Sequence, residues 1–220
     1  IVTRRTAGKS VFFQRISLGE QDETVRVDNE IFWNSRRTLL KTPFTLAVEN
    51  EQASYDLGLG FIRRGTNTPK LYEVPAQNWA DISGKDYGVS ILSDCKYGWD
   101  HPTADTLRLT GLHTPRFGFL PDSHQDQLDL GRNRYAFGIF SHESDNLAAT
   151  QAAGMEFCQP LRAFTVRADH DGILPPEYAF AEVTNTAVLL RAIKKAQDSE
   201  QLVVRVNEGT GAKQSDVHLR

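Results

Sequence analysis

The feature of this sequence that most limits its fold is a series of short segments in which apolar and polar residues alternate. The most regular one runs from Thr24 to Trp33, where Val27, Ile31 and Trp33 fall on the same face of an extended chain. Alternation with a period of two is typical of a β-strand that covers a core with one face. Comparable segments are Lys9–Leu18, Leu39–Val48, Ala53–Ile62, Asp105–Thr114 and Tyr135–His142. The sequence therefore predicts a protein built mainly from strands.

Few positions depart from this pattern. Pro43 lies inside the segment Leu39–Val48 and must occupy a bulge or a sheet edge, because proline cannot donate a ladder hydrogen bond. Asn146–Phe157 is the one segment before the carboxyl-terminal region with a helical pattern, and Asp145 is its candidate N-cap. Leu161–Val166 again resembles a strand. About ten strands with one or two short helices predict an all-β protein of packed antiparallel sheets, a sandwich.

Composition excludes several functional classes. The 220-residue chain has a formal net charge of −3 and a pI near 6.1, and its arginines are dispersed, so no nucleic-acid partner is expected. No apolar run approaches the roughly 20 residues that span a bilayer, so no membrane association is expected. Cys95 and Cys158 lack metal-ligand or redox spacing, and two free thiols favour a cytoplasmic setting. Strand-like sequence directly after Ile1 favours a piece of a longer polypeptide.

The stretch Tyr87–Asp100 concentrates side chains suited to recognition. It begins as an apolar strand and closes in a polar turn, with side chains that include Asp94, Lys96, Tyr97, Trp99 and Asp100. Aromatic faces, to which Trp79 would contribute, stack on sugar rings, while carboxylates and ammonium groups bind hydroxyls. Core packing is the more common role of such aromatics, and a turn aspartate more often bonds its own backbone than acts in a carboxylate pair such as Asp94 with Asp100. The residues alone support a β-sandwich with carbohydrate contact as a hypothesis.

Other polar clusters form no catalytic or metal-binding pattern. The loop Asp122–Asp126, with Asp129, alternates carboxylates and an imidazole, but adjacent loop positions give ligands no rigid support, so a solvated acidic loop is the better interpretation. The sequence contains no paired-histidine zinc motif and no Gly-x-Ser-x-Gly nucleophile motif. We interpret Gly58-Leu59-Gly60 as a bulge or crowded backbone contact, and Cys95 as a small buried apolar residue.

Several longer motifs resemble one enzyme family. Glu73–Asp81 is similar to E-V-P-A-x-x-W-A-D, and Tyr87–Asp100 to Y-G-V-x-L-L-N-D-C-K-Y-G-Y-D. Thr106–Pro115 resembles L-R-L-S-L-L-R-S-P, Asp129–His142 resembles D-x-G-x-H-x-F-x-Y-x-L-x-P-H, and Val188–Val206 resembles a terminal A-I-K-K-A-E-D-S hairpin. These signatures are those of glycoside hydrolase family 38 α-mannosidases of the cytosolic and bacterial type.

The resemblance implies a fold and a division into domains. It extends from about Thr24 to Glu208, and it resolves the segment Val188–Ala196 as a strand, where periodicity alone fits a helix about as well. The carboxyl-terminal half of such an enzyme is a large antiparallel super-sandwich followed by a smaller β-sandwich. We therefore expect the super-sandwich at residues 1–167 and part of the smaller β-sandwich at residues 168–220.

The resemblance also implies a function for the longer protein, a retaining exo-α-mannosidase that removes terminal α-mannosyl residues from a mannoside substrate. Zinc, its ligands and the two catalytic aspartates belong to an N-terminal catalytic domain, which is the implied partner of this chain. We therefore expect this chain to bind no zinc, to be inactive alone, and to supply scaffold and active-site rim in a cytoplasmic enzyme. A homo-oligomer is left open.

The candidate site residues are Asp94, Lys96, Tyr97, Trp99 and His113. The first three match the family's turn, whereas Trp99 and His113 stand where the family has Tyr and Arg, and Ser93 replaces an Asn. If that arginine reaches the mannose pocket, His113 is a weaker, pH-dependent substitute. Two alternatives remain at this point. One is a stand-alone sugar-binding module with an exposed platform of Trp79, Tyr97 and Trp99, and the other is a structural interaction domain whose turn is buried against a partner.

Overall fold

The computed structural model describes residues 1–115, 128–144, 146–167 and 172–220, and the described chain is an antiparallel β-sandwich with one helix. The strands of the amino-terminal half are β1 (Val2–Ala7), β2 (Ser10–Ser17), β3 (Thr24–Trp33), β4 (Thr38–Thr45), β5 (Gln52–Asp56), β6 (Phe61–Gly65), β7 (Val74–Pro75) and β8 (Trp79–Ser83). The later elements are β9 (Tyr87–Ser93), β10 (Gly98–Thr103), β11 (Thr106–Thr114), β12 (Gly131–Glu143), α1 (Leu147–Cys158), β13 (Val188–Lys195) and β14 (Leu202–Glu208). The predicted all-β class is confirmed.

Two sheets face each other across the main core. One has eight strands in the order β1-β2-β3-β12-β9-β8-β5-β6, and the other has four in the order β4-β11-β10-β7. The apolar face of β3 contributes Val27, Ile31 and Trp33 to this core, as the alternation in Thr24–Trp33 predicts. Large side chains from the facing sheet fill the remaining space, among them Phe44, Trp99, Leu107 and Leu109. Burial of this apolar area is the main source of stability.

Helix α1 covers part of the other, outer face of the eight-stranded sheet. The side chain of its N-cap, Asn146, accepts a hydrogen bond from the amide of Ala149. Beneath the helix lies a second apolar cluster, which consists of Trp79, Leu92, Ala136, Phe140, Leu147 and Phe157. Gly154 allows this close packing, because a Cβ at that position would lie 2.9 Å from Trp79 Cδ1. The middle of the large sheet is therefore buried on both faces.

A buried polar cluster joins the helix to the sheet. The carboxylate of Asp81 accepts hydrogen bonds from the hydroxyls of Ser83, at 2.6 Å, and Ser90, at 2.9 Å, and it lies 2.8 Å from His142 Nε2. The hydroxyl of Ser90 is also 2.8 Å from Thr150 Oγ1 in α1. A carboxylate can be buried only when such partners replace water. This cluster connects β8, β9, β12 and α1.

The hairpin β13–β14 is attached to the sandwich by Arg191. Its Nη2 donates to the carbonyl of Gly58, at 2.9 Å, and to Gln151 Oε1, at 3.0 Å, while its Nε donates to Asn207 Oδ1. Gln151 donates in turn to the carbonyl of Gly209, at 2.8 Å. Burial lowers the pKa of Arg191. One side chain therefore links the β5–β6 turn, α1 and both strands of the hairpin.

Two predicted strands differ in the structure. Ala53–Ile62 forms two strands, β5 and β6, because Gly58 and Gly60 take positive φ values of 85° and 97° and reverse the chain. The Gly-x-Gly segment is therefore a hairpin turn. Leu161–Val166 forms no strand, and all of its residues are exposed. The expectation of a strand there was wrong, since alternation cannot supply a neighbouring strand to pair with.

Several other predictions from the sequence can be compared directly with the structure. Pro43 lies in β4, an edge strand of the four-stranded sheet, as expected. The predicted helix is present, and the predicted strands at Val188–Val206 form a hairpin. Cys95 is exposed, so the expectation of a buried thiol was wrong. The candidate N-cap Asp145 and the acidic loop Asp122–Asp126 lie outside the described residues.

We predict that His101 makes the stability of this protein sensitive to acid. Burial lowers the pKa of this imidazole below its usual value of 6.5, against weaker opposing effects of the Ala104 backbone and nearby carboxylates. Because the unfolded chain then binds the proton more readily, the free energy of unfolding should fall as the pH drops below about 6.5 and until the folded imidazole itself titrates. His101→Leu should flatten this dependence, as measured by urea unfolding at roughly pH 8 and pH 5.5. Equal losses in the two proteins would contradict it.

Candidate functional site at the β9–β10 turn

Residues 94–97 connect β9 of the eight-stranded sheet to β10 of the four-stranded sheet, at one end of the sandwich. The amide of Lys96 donates to Ser93 Oγ, at 3.0 Å, and the carbonyl of Tyr97 accepts from the amide of Ala76, at 3.0 Å. Ser93 is buried and thus has a structural role in the turn. The backbone of the turn is fixed by these contacts, which leaves the side chains of Lys96 and Tyr97 available.

Asp94 is directed to the outer face of the eight-stranded sheet. Its Oδ1 accepts a hydrogen bond of 3.0 Å from the amide of Ala136, whose side chain belongs to the outer cluster beneath α1. Asp94 lines a depression of about 530 Å³, together with Phe13, Arg15, Asp28, Glu30 and Arg134. Hydrogen bonds from Arg132 and Arg134 lower the pKa of the Glu30 carboxyl. The depression therefore offers both charge signs beside an aromatic ring, a combination that suits a polar ligand or a charged protein surface.

Lys96 and Tyr97 leave the turn in other directions. The ammonium of Lys96 lies 5.2 Å from the ring centroid of Tyr135, a cation–π distance. Tyr135 belongs to the core between the sheets, and burial raises its pKa, so its ring stays neutral. The side chain of Tyr97 is 52% exposed. Tyr97 is therefore the residue of the turn that presents an aromatic surface to solvent.

Trp99 does not reach the surface. Its exposed fraction is 0%, and it packs in the core between the two sheets. The prediction that Trp99 contacts substrate is therefore wrong, because a buried indole cannot stack on a sugar ring. Trp79 is buried in the same way beneath α1. The exposed platform of Trp79, Tyr97 and Trp99 that a stand-alone sugar-binding module requires does not form.

Asp100 is buried and ion-paired. Its Oδ2 lies 2.5 Å from Lys41 Nζ, and its Oδ1 accepts a hydrogen bond of 2.6 Å from Arg108 Nε. Lys41 also pairs with Glu73, at 2.6 Å. Since Trp99 points into the core, the alternation of β10 places Asp100 on the outer face of the four-stranded sheet. Its two cations occupy this carboxylate, so Asp94 and Asp100 are not a pair for hydrolysis.

His113 lies at the same end of the sandwich as the turn. Trp99 pairs with Leu109, so the later residues of β11 run toward residues 94–97, and His113 is exposed there opposite Leu39 of β4. Its amide donates to Asp129 Oδ2, at 2.7 Å. Among the described residues, no hydrogen bond or ion pair joins its imidazole to the turn. The structure thus places Asp94, Lys96, Tyr97 and His113 at one end and removes Trp99 from the set.

The sequence reasoning missed the charged residues around Asp94. Asp28 and Glu30 lie on the polar face of the alternating segment Thr24–Trp33, which is also the appearance of any solvated strand face. Glu30 pairs in register with Arg134 of β12, and Asp28 with Arg15 of β2. These cross-strand neighbours can be identified only when the pairing register is known. The available signal for them in the sequence was the two acids on the outward face of β3.

The remaining reactive groups do not form a catalytic or metal centre. Although Cys95 is exposed as a residue, partial desolvation of its sulfur and the neighbouring Asp94 carboxylate raise its pKa to about 11, and burial raises the pKa of Cys158 to about 11. Both thiols therefore stay protonated at neutral pH and are weak nucleophiles. Within the described ranges, no group of three or more His, Cys, Asp or Glu side chains could hold a metal ion. The residues present therefore do not fit the zinc site implied for the longer enzyme. No described helix has the length and apolar character needed to cross a bilayer.

These features define a class of domain, an antiparallel sandwich whose larger sheet carries a helix on its outer face and whose sheets are joined by a charged turn. The match to a known family agrees with this class. Residues 1–124, more than half of the chain, match the model described as Glycosyl hydrolases family 38 C-terminal domain. The chain belongs to this family.

Curated relatives are much longer proteins. Alpha-mannosidase G of Dictyostelium discoideum is 28% identical over 196 residues, which are 86% of this chain and 17% of that protein. Alpha-mannosidase 2C1 of Homo sapiens is 30% identical over 199 residues, which are 86% of this chain and 18% of that protein. The chain therefore spans less than a fifth of these relatives.

The fold is also found in a solved structure. A glycosyl hydrolase family 38 protein from Enterococcus faecalis superimposes with a TM-score of 0.81, over 96% of this chain and 25% of the other. The sequence identity is 16%, so this similarity concerns the fold alone.

We predict that the two aspartates of the motif respond differently to removal of charge. Asp100→Asn leaves the cations of Lys41 and Arg108 without their carboxylate and should reduce the free energy of unfolding by about 3 kcal/mol. Asp94→Asn retains an oxygen that accepts from the Ala136 amide and should cost less than about 1 kcal/mol. Urea denaturation of both variants beside the parent protein tests this contrast. Equal destabilisation would show that Asp100 has no special structural role.

Proposed function

We propose that this chain is the carboxyl-terminal, non-catalytic part of a retaining exo-α-mannosidase, and that it supplies scaffold and rim for hydrolysis of terminal α-mannosyl residues. The observation that carries this proposal is the match to the family 38 C-terminal domain in a chain that spans less than a fifth of its α-mannosidase relatives. Retaining glycosidases need two carboxyl groups on either side of the scissile bond. In this proposal both belong to the N-terminal catalytic domain of the same polypeptide.

The turn at residues 94–97 is proposed as the part of this chain that faces that domain and the mannoside. Its fixed backbone supports the proposal, because a residue that positions a substrate must itself be held in place. The ammonium of Lys96 and the carboxylate of Asp94 can donate and accept hydrogen bonds with sugar hydroxyls. The exposed ring of Tyr97 can cover an apolar sugar face. His113 is a second contact proposed at the same end of the sandwich.

The zinc ion implied by the resemblance belongs, in this proposal, to the N-terminal catalytic domain. No set of described side chains in this chain suits it, and the role proposed here includes no step at the metal. Addition of zinc to the full-length protein after treatment with a chelator should restore its activity on an aryl α-mannoside. This measurement tests the requirement for zinc separately from the proposed role of the turn.

The division into domains is part of the same proposal, with a super-sandwich at residues 1–167 and part of a smaller β-sandwich at residues 168–220. The separate two-stranded sheet β13–β14 supports this division. Exposed apolar residues on that sheet, namely Ile193, Leu202 and Val206, are suited to packing against further strands. The protonated free thiols are compatible with a cytoplasmic enzyme.

We predict that Lys96→Ala in the full-length protein lowers kcat/KM for an aryl α-mannoside about tenfold, a loss of about 1.4 kcal/mol in transition-state stabilisation. Tyr97→Ala should have a similar effect. Lys194→Ala, which removes an exposed lysine from β13, is the matched control and should leave kcat/KM unchanged.

Three results separate the hypotheses. Activity of the chain without the catalytic domain would contradict the scaffold role. An unchanged kcat/KM in both turn variants would remove the turn from the active-site rim. A lowered thermal stability of the full-length protein with unchanged kinetics would favour the structural interaction domain, in which the turn is buried against its partner.

A further inference from the structure

A groove runs along helix α1 on the outer face of the large sheet. Its volume is about 610 Å³, and it lies between α1 and the turn that joins β2 to β3. The floor is apolar and consists of Phe140, Ala149, Ala152, Ala153 and Phe157. A neighbouring cavity of about 850 Å³ shares Phe140 and Ala149 and extends the groove toward Asn146 at the start of the helix.

The rim of this groove is acidic. Asp22, Glu23 and Glu156 line it, and among the described residues neither Glu23 nor Glu156 has an ion-pair partner. Arg26 is the one cation among the described residues of the lining, and it is already engaged. Its guanidinium lies 4.7 Å from the ring centroid of Phe157 and pairs with Asp28, at 2.9 Å. An occupant of the groove should therefore combine apolar side chains with positive charge.

The segment that follows the helix has this composition. Residues 161–167 read Leu-Arg-Ala-Phe-Thr-Val-Arg, with two cations and no acid, and every one of them is exposed. Exposed apolar side chains within this segment are Leu161, Phe164 and Val166. Neither Arg162 nor Arg167 has an ion-pair partner among the described residues. Several exposed apolar side chains within one short segment commonly mark an interaction site.

The geometry places this segment at the mouth of the groove. The amide of Gln159 donates to the carbonyl of Met155 at the helix end, and Pro160, the next residue, lines the groove. The 12 residues of α1 extend roughly 18 Å at about 1.5 Å per residue, and seven extended residues cover up to roughly 23 Å. A segment that turns back at Pro160 can therefore follow the whole helix.

We propose that residues 161–167 dock in this groove, antiparallel to α1, as a strap over the outer face of the sheet. In an extended segment Arg162, Phe164 and Val166 share one face. Arg162, closest to Pro160, pairs with Glu156 at the end of the helix, while Phe164 and Val166 cover the alanine floor. Docking removes apolar side chains from water at both surfaces and neutralises part of the rim.

Hydrogen exchange of residues 161–167 in the full-length protein tests the strap. The amides should exchange at least tenfold more slowly than in an unstructured peptide of the same sequence, and this protection should weaken at high salt. Phe164→Ser and Glu156→Lys should each abolish it, whereas the charge-exchanged variant Glu156→Lys/Arg162→Glu should restore it. Glu20→Lys is the matched control, because Glu20 lies in the β2–β3 turn but does not line the groove.

Three outcomes would overturn the proposal. The first is exchange at the unstructured rate in the parent protein. The second is failure of the charge-exchanged variant to restore protection. The effect of Glu156→Lys would then not arise from loss of an ion pair with Arg162. The third is protection that rises with protein concentration, since the segment would then occupy the groove of a second copy. None of these results depends on mannosidase activity, so the strap and the proposed function are tested independently.

Discussion

The position of helix α1, and with it the outer face of the large sheet, depends on the buried carboxylate of Asp81. A carboxylate away from water is costly unless hydrogen bonds replace its hydration. Ser83, Ser90 and His142 supply these contacts, and Thr150 extends them into the helix. The partners come from the same strands that carry the apolar cluster beneath α1. One polar centre therefore fixes how strands β8, β9 and β12 and the helix pack.

Much of the fold follows from the alternation of apolar and polar residues. Thr24–Trp33 coincides with β3, because one face of this strand meets a core and the other meets solvent. The same rule cannot divide Ala53–Ile62, where two glycines with positive φ reverse the chain inside an apolar run. Nor can it recognise Leu161–Val166 as irregular, since a strand exists only beside another strand. The alternation of apolar and polar residues reports which side chains are buried, whereas the pairing of strands depends on residues that are distant in the sequence.

The candidate site was predictable in part for the same reason. The turn was recognisable from its polar residues after an apolar strand, and its position at the junction of two sheets agrees with that interpretation. The roles of Trp99 and Asp100 were not, because adjacent residues of β10 point to opposite faces. Burial of the carboxylate depends on Lys41 and Arg108, which lie on two other strands, and burial of the indole depends on the facing sheet. Here both are buried, one in the core and one in an ion-pair cluster.

Motifs that carry a family resemblance need not mark a binding site. Asp81 and His142 come from separate motifs, yet they meet at 2.8 Å. Asp100 and Arg108, again from separate motifs, meet at 2.6 Å. Both pairs hold strands together, so part of the family signature reflects assembly of the sandwich and not recognition of a ligand. Among the turn residues of the proposed rim, Tyr97 is exposed, whereas Asp94 and Lys96 are half-buried.

The attachment of the carboxyl-terminal hairpin has a mechanical consequence. Arg191 binds oxygens from a turn, a helix and a neighbouring strand, and a planar guanidinium can satisfy these acceptors only within a narrow range of angles. The hairpin is thus oriented as well as tethered. A shift of the helix would therefore displace the hairpin as well, because this single side chain forms hydrogen bonds with both.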